Sequence, residues 1–248
     1  VWFDNVAFDD YSTISLYRNK FGQTTLTACD FPSKYKDFDK IQTIENIKEL
    51  KAHISALIAI EPRFAPVYEQ VGVPDLRHNA GGFTQIMRAM VGQQLSVAAA
   101  ASIWQRLVDK GFTTPTAIRA ATDEDLRAQG LSKQKIRYTR SLVEHNIDFA
   151  ALEALPDDDV IKTLTAVIGI GRWTAEMYLL FSLQRADVLA VDDLAIKVAA
   201  MDLLGLAERP TPKQLKNLTH DWSPHRSAAS LLLWEYYGFL LQKNAVPL

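Results

Sequence analysis

The 248-residue chain contains a single cysteine, Cys29. One thiol cannot build an internal disulfide framework, a cysteine-ligated zinc site or a four-cysteine iron–sulfur cluster. No apolar run approaches the roughly 20 residues of a membrane span, so no membrane partner is expected. The stretch Val1–Tyr17 carries acids and no cationic segment, so no secretory leader is expected either. A reducing, intracellular compartment fits, which in a bacterium means the cytoplasm or nucleoid. Charge of one sign is also lacking: the formal net charge is -2. Whole-chain neutrality does not decide about nucleic acid, because a local basic patch suffices. What the chain has in quantity is apolar residues, 48% of the total, enough for a substantial core.

Residues 1–40 differ in texture from the rest. Thr13–Tyr17 and Thr24–Thr27 alternate, and Phe21-Gly22-Gln23 suits a turn, so this extension is expected to hold a short β-hairpin or little regular structure. From Thr43 onward the periodicity is helical. Ile44, Ile47, Leu50, Ile54, Leu57 and Ile58 share one face, as do Phe83, Ile86, Met87, Met90 and Val91, at the spacing of buried helix stripes. Ser96 precedes an alanine-rich helix that would permit close helix–helix approach. Thr122 with Asp125 predicts a capping box. No strand is expected after residue 43, so the fold class is all-α.

The most informative stretch is Leu164-Thr-Ala-Val-Ile-Gly169-Ile170-Gly171-Arg172-Trp173-Thr174-Ala175. Two glycines two residues apart, between helical patterns, allow a tight turn that leads into a helix whose first N–H groups are open. Such an arrangement binds phosphate. A Gly-x-Gly alone is also an ordinary helix–helix turn. Downstream stands an acidic pair followed by a helix, Val191-Asp192-Asp193-Leu194-Ala195-Ile196-Lys197.

Taken together, these stretches resemble the helix-hairpin-helix superfamily of DNA glycosylases, and within it the 3-methyladenine DNA glycosylase II branch. Val91-Gly92-Gln93-Gln94-Leu95-Ser96, Gly130-Leu131-Ser132-Lys133-Gln134-Lys135 and Trp222-Ser-Pro224-His225-Arg226-Ser227, the last with Trp234 beyond it, are similar to other segments of that family in the same order. The resemblance covers about Ile44 to Gly238. It implies two helical lobes, one discontinuous (41–82 with 191–248) and one continuous and carrying the hairpin (83–190), with the cleft between them. It implies a monomeric enzyme acting on double-stranded DNA with alkylated bases.

The resemblance also implies the site. Asp193, three residues before Ile196, takes the place of the catalytic aspartate, with Asp192 read as the helix cap or a structural partner. Trp173 stands where bifunctional relatives have a lysine, so no Schiff base is expected and water is the nucleophile. Trp173, Trp234 and Met177 are expected at the base pocket, where the electron-rich ring of Trp234 attracts a cationic base. Met177 and Leu194 stand where relatives have aromatics, which leaves the lesion range open. Gln94, with Leu95 as the alternative, is the wedge that fills the gap left by a flipped base. Gly169, Gly171, Arg172, Thr174 and Lys133 are expected to meet DNA, with Lys135, Arg137 and Arg140 extending the basic segment. Trp104, Trp222, His225 and Arg226 read as structural. No metal is expected from side chains and no cofactor is required; a monovalent cation on the hairpin carbonyls is implied by the family alone. The competing readings are a glycosylase for another lesion, a non-catalytic DNA-binding hairpin module and a helical scaffold.

Overall fold

The computed structural model describes residues 16–18, 24–26 and 42–245, with side chains for 42–243. Two compact units result, 1–40 and 41–248. In the first, β1 (Leu16–Arg18) pairs antiparallel with β2 (Thr24–Leu26), and Leu16 faces Leu26. The hairpin lies where the alternation placed it. The turn at Phe21–Gln23 and Cys29 lie outside the described residues.

The second unit is helical: α1 (Ile47–Ile60), α2 (Phe64–Val71), α3 (Phe83–Gly92), α4 (Val97–Asp109), α5 (Pro115–Ala120), α6 (Asp123–Ala128), α7 (Lys133–His145), α8 (Asp157–Thr165), α9 (Arg172–Phe181), α10 (Leu194–Leu204), α11 (Pro212–Leu218) and α12 (Arg226–Ala245). Short polar residues start many of them. Asn46, Ser96, Thr114, Ser132 and Thr211 each accept a backbone N–H of the first turn, filling one of the donors a helix start leaves open. Thr122 and Asp125 form the predicted capping box. No helix among the described residues is long and apolar enough to cross a membrane.

Two hydrophobic clusters hold this unit. The first gathers Ile86, Met87 and Met90 of α3, Leu107 of α4, Leu142 of α7, Val160 and Leu164 of α8, and Ala175 and Leu179 of α9. The second gathers Leu50, Ile54 and Leu57 of α1, Phe64 of α2, Ile196 and Ala199 of α10, Trp222, and Leu232 of α12. Met177, Phe181 and Trp234 pack against both. These three side chains therefore mark the seam between the two clusters. Burying one Leu or Ile contributes about 1.5–3 kcal/mol, so each cluster is ample support for its own helices.

The alanines of α4 serve close packing at one position: a Cβ on Gly92 of α3 would lie 3.8 Å from that of Ala100. Ala98, Ala99 and Ala101 are exposed, Val97 is 89% exposed, and of this helix Leu107 alone is fully buried. The start of α4 is an open apolar surface.

Candidate active site

The hairpin joins α8 to α9. Gly169 has φ +95, and a Cβ there would lie 2.4 Å from the Tyr138 ring. Both the backbone and the neighbour therefore demand glycine. Gly171 differs. Its φ is -88, and a Cβ on it would meet nothing within 4 Å. Its bareness leaves space in front of α9. As the N-cap it has no side chain to offer the helix, so the N–H groups of the first turn stay open. Arg172 is exposed beside them. Thr174, grouped with these residues on sequence grounds, is only 8% exposed. Its side chain is turned into the protein, and its backbone N–H is what it can offer.

The turn between α3 and α4 lies against this hairpin. Gln93 Nε2 donates to Gly169 O at 2.9 Å. That leaves Gln94 exposed, with φ +57, and Leu95 39% exposed. Lys135 Nζ donates to Val91 O at the end of α3, and partial burial holds its pKa below the usual lysine value. Arg140 donates to the carbonyls of Ile118 and Ala121 and to Asp123. The expected basic segment is thus split: Lys133 and Arg137 face out, whereas Lys135 and Arg140 satisfy carbonyls at helix ends.

Asp193 caps α10. Its Oδ1 accepts the Ile196 N–H at 3.1 Å and the Trp234 indole N–H at 3.2 Å. Its Oδ2 accepts the Trp173 indole N–H at 3.0 Å. The cap is therefore Asp193 and not Asp192, which is exposed. The reason is register: the residue three before Ile196 is the one whose carboxylate reaches the N3 amide. A carboxylate has about four acceptor positions. Three N–H donors fix its plane and leave about one direction free.

That carboxylate lies in a cleft of about 460 Å³ lined by Asp75, Arg77, Trp173, Met177, Phe181, Asp193, Leu231, Trp234 and Glu235. The cleft is large enough for a nucleobase-sized ligand. Its two indoles are not equivalent. Phe181 stacks on Trp234 with ring centroids 5.8 Å apart, so one face of that ring is covered. Trp173 is 46% exposed and offers the freer ring. Leu194, beside Asp193, is exposed.

Residues 87–225 match the model of the HhH-GPD superfamily of base excision DNA repair proteins. This chain belongs to that superfamily. It is 31% identical to DNA-3-methyladenine glycosylase 1 of Schizosaccharomyces pombe over 79% of this chain and 90% of that one. Its fold is similar to the crystal structure of a DNA-3-methyladenine glycosidase from Bacillus halodurans, with TM-score 0.72 and 33% identity, over 82% of this chain and 95% of that one. It is also similar to a Schizosaccharomyces pombe 3-methyladenine DNA glycosylase solved in complex with abasic DNA, with TM-score 0.61 and 32% identity, over 75% and 95%.

Within this HhH-GPD chain, Asp193, Trp173, Trp234 and Met177 come together in one cleft, while the hairpin, Arg172, Gln94 and Leu95 lie outside its lining. Trp222 is buried, and Trp104 packs beneath Arg88. His225 contacts His53 at 2.8 Å, and Arg226 pairs with Asp187 at 2.6 Å, both away from the cleft lining. Several site residues escaped the sequence reading. Gln93 stood next to the residue singled out. Asp75, Arg77 and Glu235 carry no motif; folding alone brings them to the cleft. Among the described residues no cluster of His, Cys, Asp or Glu could hold a metal. For a monovalent cation the hairpin offers carbonyls: Gly169 O accepts from Gln93, and Val167 O from the Ile170 N–H. Each carbonyl oxygen keeps a second lone pair that an ion could use.

Proposed function

We propose that this chain is a DNA repair glycosylase that hydrolyses the N-glycosidic bond of alkylated bases of the 3-methyladenine and 7-methylguanine type, leaving an abasic site without cutting the strand. The observation that carries the reading is the Asp193 carboxylate, fixed by three N–H donors inside a cleft walled by two tryptophans. The names of the related glycosylases and the abasic DNA bound to one of them support it.

The chemistry follows from the residues. Loss of the base builds positive charge on the deoxyribose, as in glycoside hydrolysis. A carboxylate already held in place stabilises that charge without reorganising, and its free acceptor position can orient a water. Trp173 has no amine, so the sugar forms no Schiff base with it. The base must leave the stack to reach the cleft. Gln94, exposed on a turn that Gln93 ties to the hairpin, is placed to fill the gap, with Leu95 beside it. The open N–H groups of α9 and Arg172 grip a phosphate without reading sequence. A monovalent cation would be held by the hairpin carbonyls and would add positive charge beside that phosphate; the hydrolysis needs none. We take 41–82 with 191–248 as one lobe and 83–190 as the other, acting as a monomer with the cleft at their seam.

The test is base release from methylated duplex DNA, with borohydride added in a parallel reaction. Release of methylated purines, abasic sites cleaved only by added alkali, and no covalent protein–DNA adduct are expected. Release accompanied by a trapped adduct would overturn the monofunctional mechanism, and absence of any release would overturn the glycosylase reading.

A further inference from the structure

We propose that Glu176 is a positioning residue: it holds Arg172 so that the free guanidinium donors join the open N–H groups of the α9 N-terminus in gripping one DNA phosphate. The inference rests on the DNA-binding reading above. Glu176 lies one turn after Arg172 on α9. Its Oε1 accepts from Arg172 Nε at 2.8 Å. Its side chain is 3% exposed, against 47% for Arg172. A buried acid is thus anchoring an exposed cation, which inverts the usual surface pair where both partners move freely.

The geometry leaves the useful donors over. The bond occupies Nε, and the two Nη groups have no hydrogen-bond partner among the described residues. Among the described residues the backbone N–H groups of Gly171, Arg172, Trp173 and Thr174 have no acceptor either. A guanidinium presents donors in a fixed fork that suits a phosphate. Fixing it at Nε removes side-chain freedom that binding would otherwise have to remove.

Placing an acid beside a phosphate site looks self-defeating, since its charge would repel the ligand. Glu176 avoids much of this. Burial raises its pKa to about 7, with Arg172 opposing, Asp192 adding to the rise and Lys216 opposing. Near neutral pH a large fraction of Glu176 is protonated, so it accepts from Nε while leaving much of the arginine charge uncancelled. Its other oxygen, Oε2, is buried with no hydrogen-bond partner among the described residues. A fully ionised carboxylate would be costly there.

Binding to undamaged duplex DNA as a function of salt, with thermal melting alongside, tests the proposal in Arg172→Ala, Glu176→Ala, Glu176→Gln and the double alanine variant. Arg172→Ala is expected to bind more weakly at 50 mM salt and to reduce the salt slope by about one, so that raising salt to 200 mM costs it roughly four-fold less affinity than it costs wild type. Glu176→Ala is expected to match it, the double variant to lose no more than either single one, and Glu176→Gln, which keeps the acceptor, to restore binding. Equal losses for Gln and Ala at an unchanged slope, or losses that add in the double variant, would show that Glu176 only supports the fold. If wild type binds but Arg172→Ala binds as well, the proposal fails and the DNA reading stands. If wild type does not bind duplex DNA, both fall.

Discussion

At the cleft, Asp193 has three acceptor positions filled by protein N–H groups. At the hairpin, the N–H groups of Gly171 to Thr174 are left without acceptors among the described residues. One region satisfies its polar groups internally and the other leaves them open, although α9 contributes to both. The difference follows from the task proposed for each. Stabilising a transient charge needs a group that does not move when the charge appears. Gripping a backbone needs donors that the protein itself has not used.

If the cleft is the chemical region, disabling it should leave the grip intact. Asp193→Asn keeps the cap and the shape but removes the charge and the acceptor for the Trp173 indole N–H. Excision is expected to fall by about 10³-fold or more, with lesion-DNA binding and melting temperature near wild type. Excision within ten-fold of wild type would remove Asp193 from the chemistry. The same loss in Asp192→Asn with normal folding would move the assignment to the exposed neighbour.

The hairpin should fail in the opposite manner, through structure. Gly169→Ala places a Cβ against the Tyr138 ring at a φ of +95. A strained backbone costs about 1–3 kcal/mol, and overpacking a similar amount. Melting should show a loss of roughly 2–5 kcal/mol, with weaker DNA binding. Gly171→Ala has room, so its stability should stay within about 0.5 kcal/mol of wild type while DNA binding weakens as the methyl occupies the space before α9. Equal destabilisation by the two substitutions would mean that both glycines serve the turn alone.

Within the cleft, the two tryptophans can be separated. Replacing either with Phe keeps a ring and removes one donor to Asp193. A hydrogen bond to a charged group is worth about 1.5–3 kcal/mol, so each should slow excision by roughly ten-fold or more. Replacement with Ala also removes the ring. Because Phe181 covers one face of Trp234, the freer ring of Trp173 should carry the attraction for cationic bases. Single-turnover rates on 7-methylguanine and on neutral hypoxanthine compare them. Trp173→Ala is expected to slow the charged lesion more, by about two- to thirty-fold, the range of cation–π energies. A larger charge-selective loss in Trp234→Ala would reverse the assignment.

The amphipathic stripes of α1 and α3 and the capping pairs were legible because they are local: period and cap need only neighbours in sequence. Asp193 was legible through its register with Ile196 and the order of motifs around it. Its pinning by Trp173 and Trp234 was not, since those residues lie 20 and 41 positions away. The Arg172–Glu176 pair was available at i, i+4 spacing, but burial decides what such a pair does, and burial is a property of the packed helix. The alanines of α4 divide for the same reason. Ala100 meets α3 at Gly92, whereas the apolar start of α4 stays exposed next to Gln94 and Leu95.

The smallest expected effect concerns the edge of the gripping region, where the charge run Lys133–Arg140 divides by side-chain direction. Lys133 is exposed at the start of α7, whereas Lys135 reaches the Val91 carbonyl. Lys133→Ala is therefore expected to reduce the salt slope for duplex DNA by about one with melting unchanged. Lys135→Ala should do the reverse. It lowers stability by about 1–2 kcal/mol through the unpaired carbonyl at the end of α3 and leaves the slope as it was. Measuring both slopes under one buffer series isolates the phosphate contact from the helix-end contact. Equal slope changes would mean that Lys135 leaves Val91 to meet DNA. No change in either would confine the grip to the hairpin and Arg172.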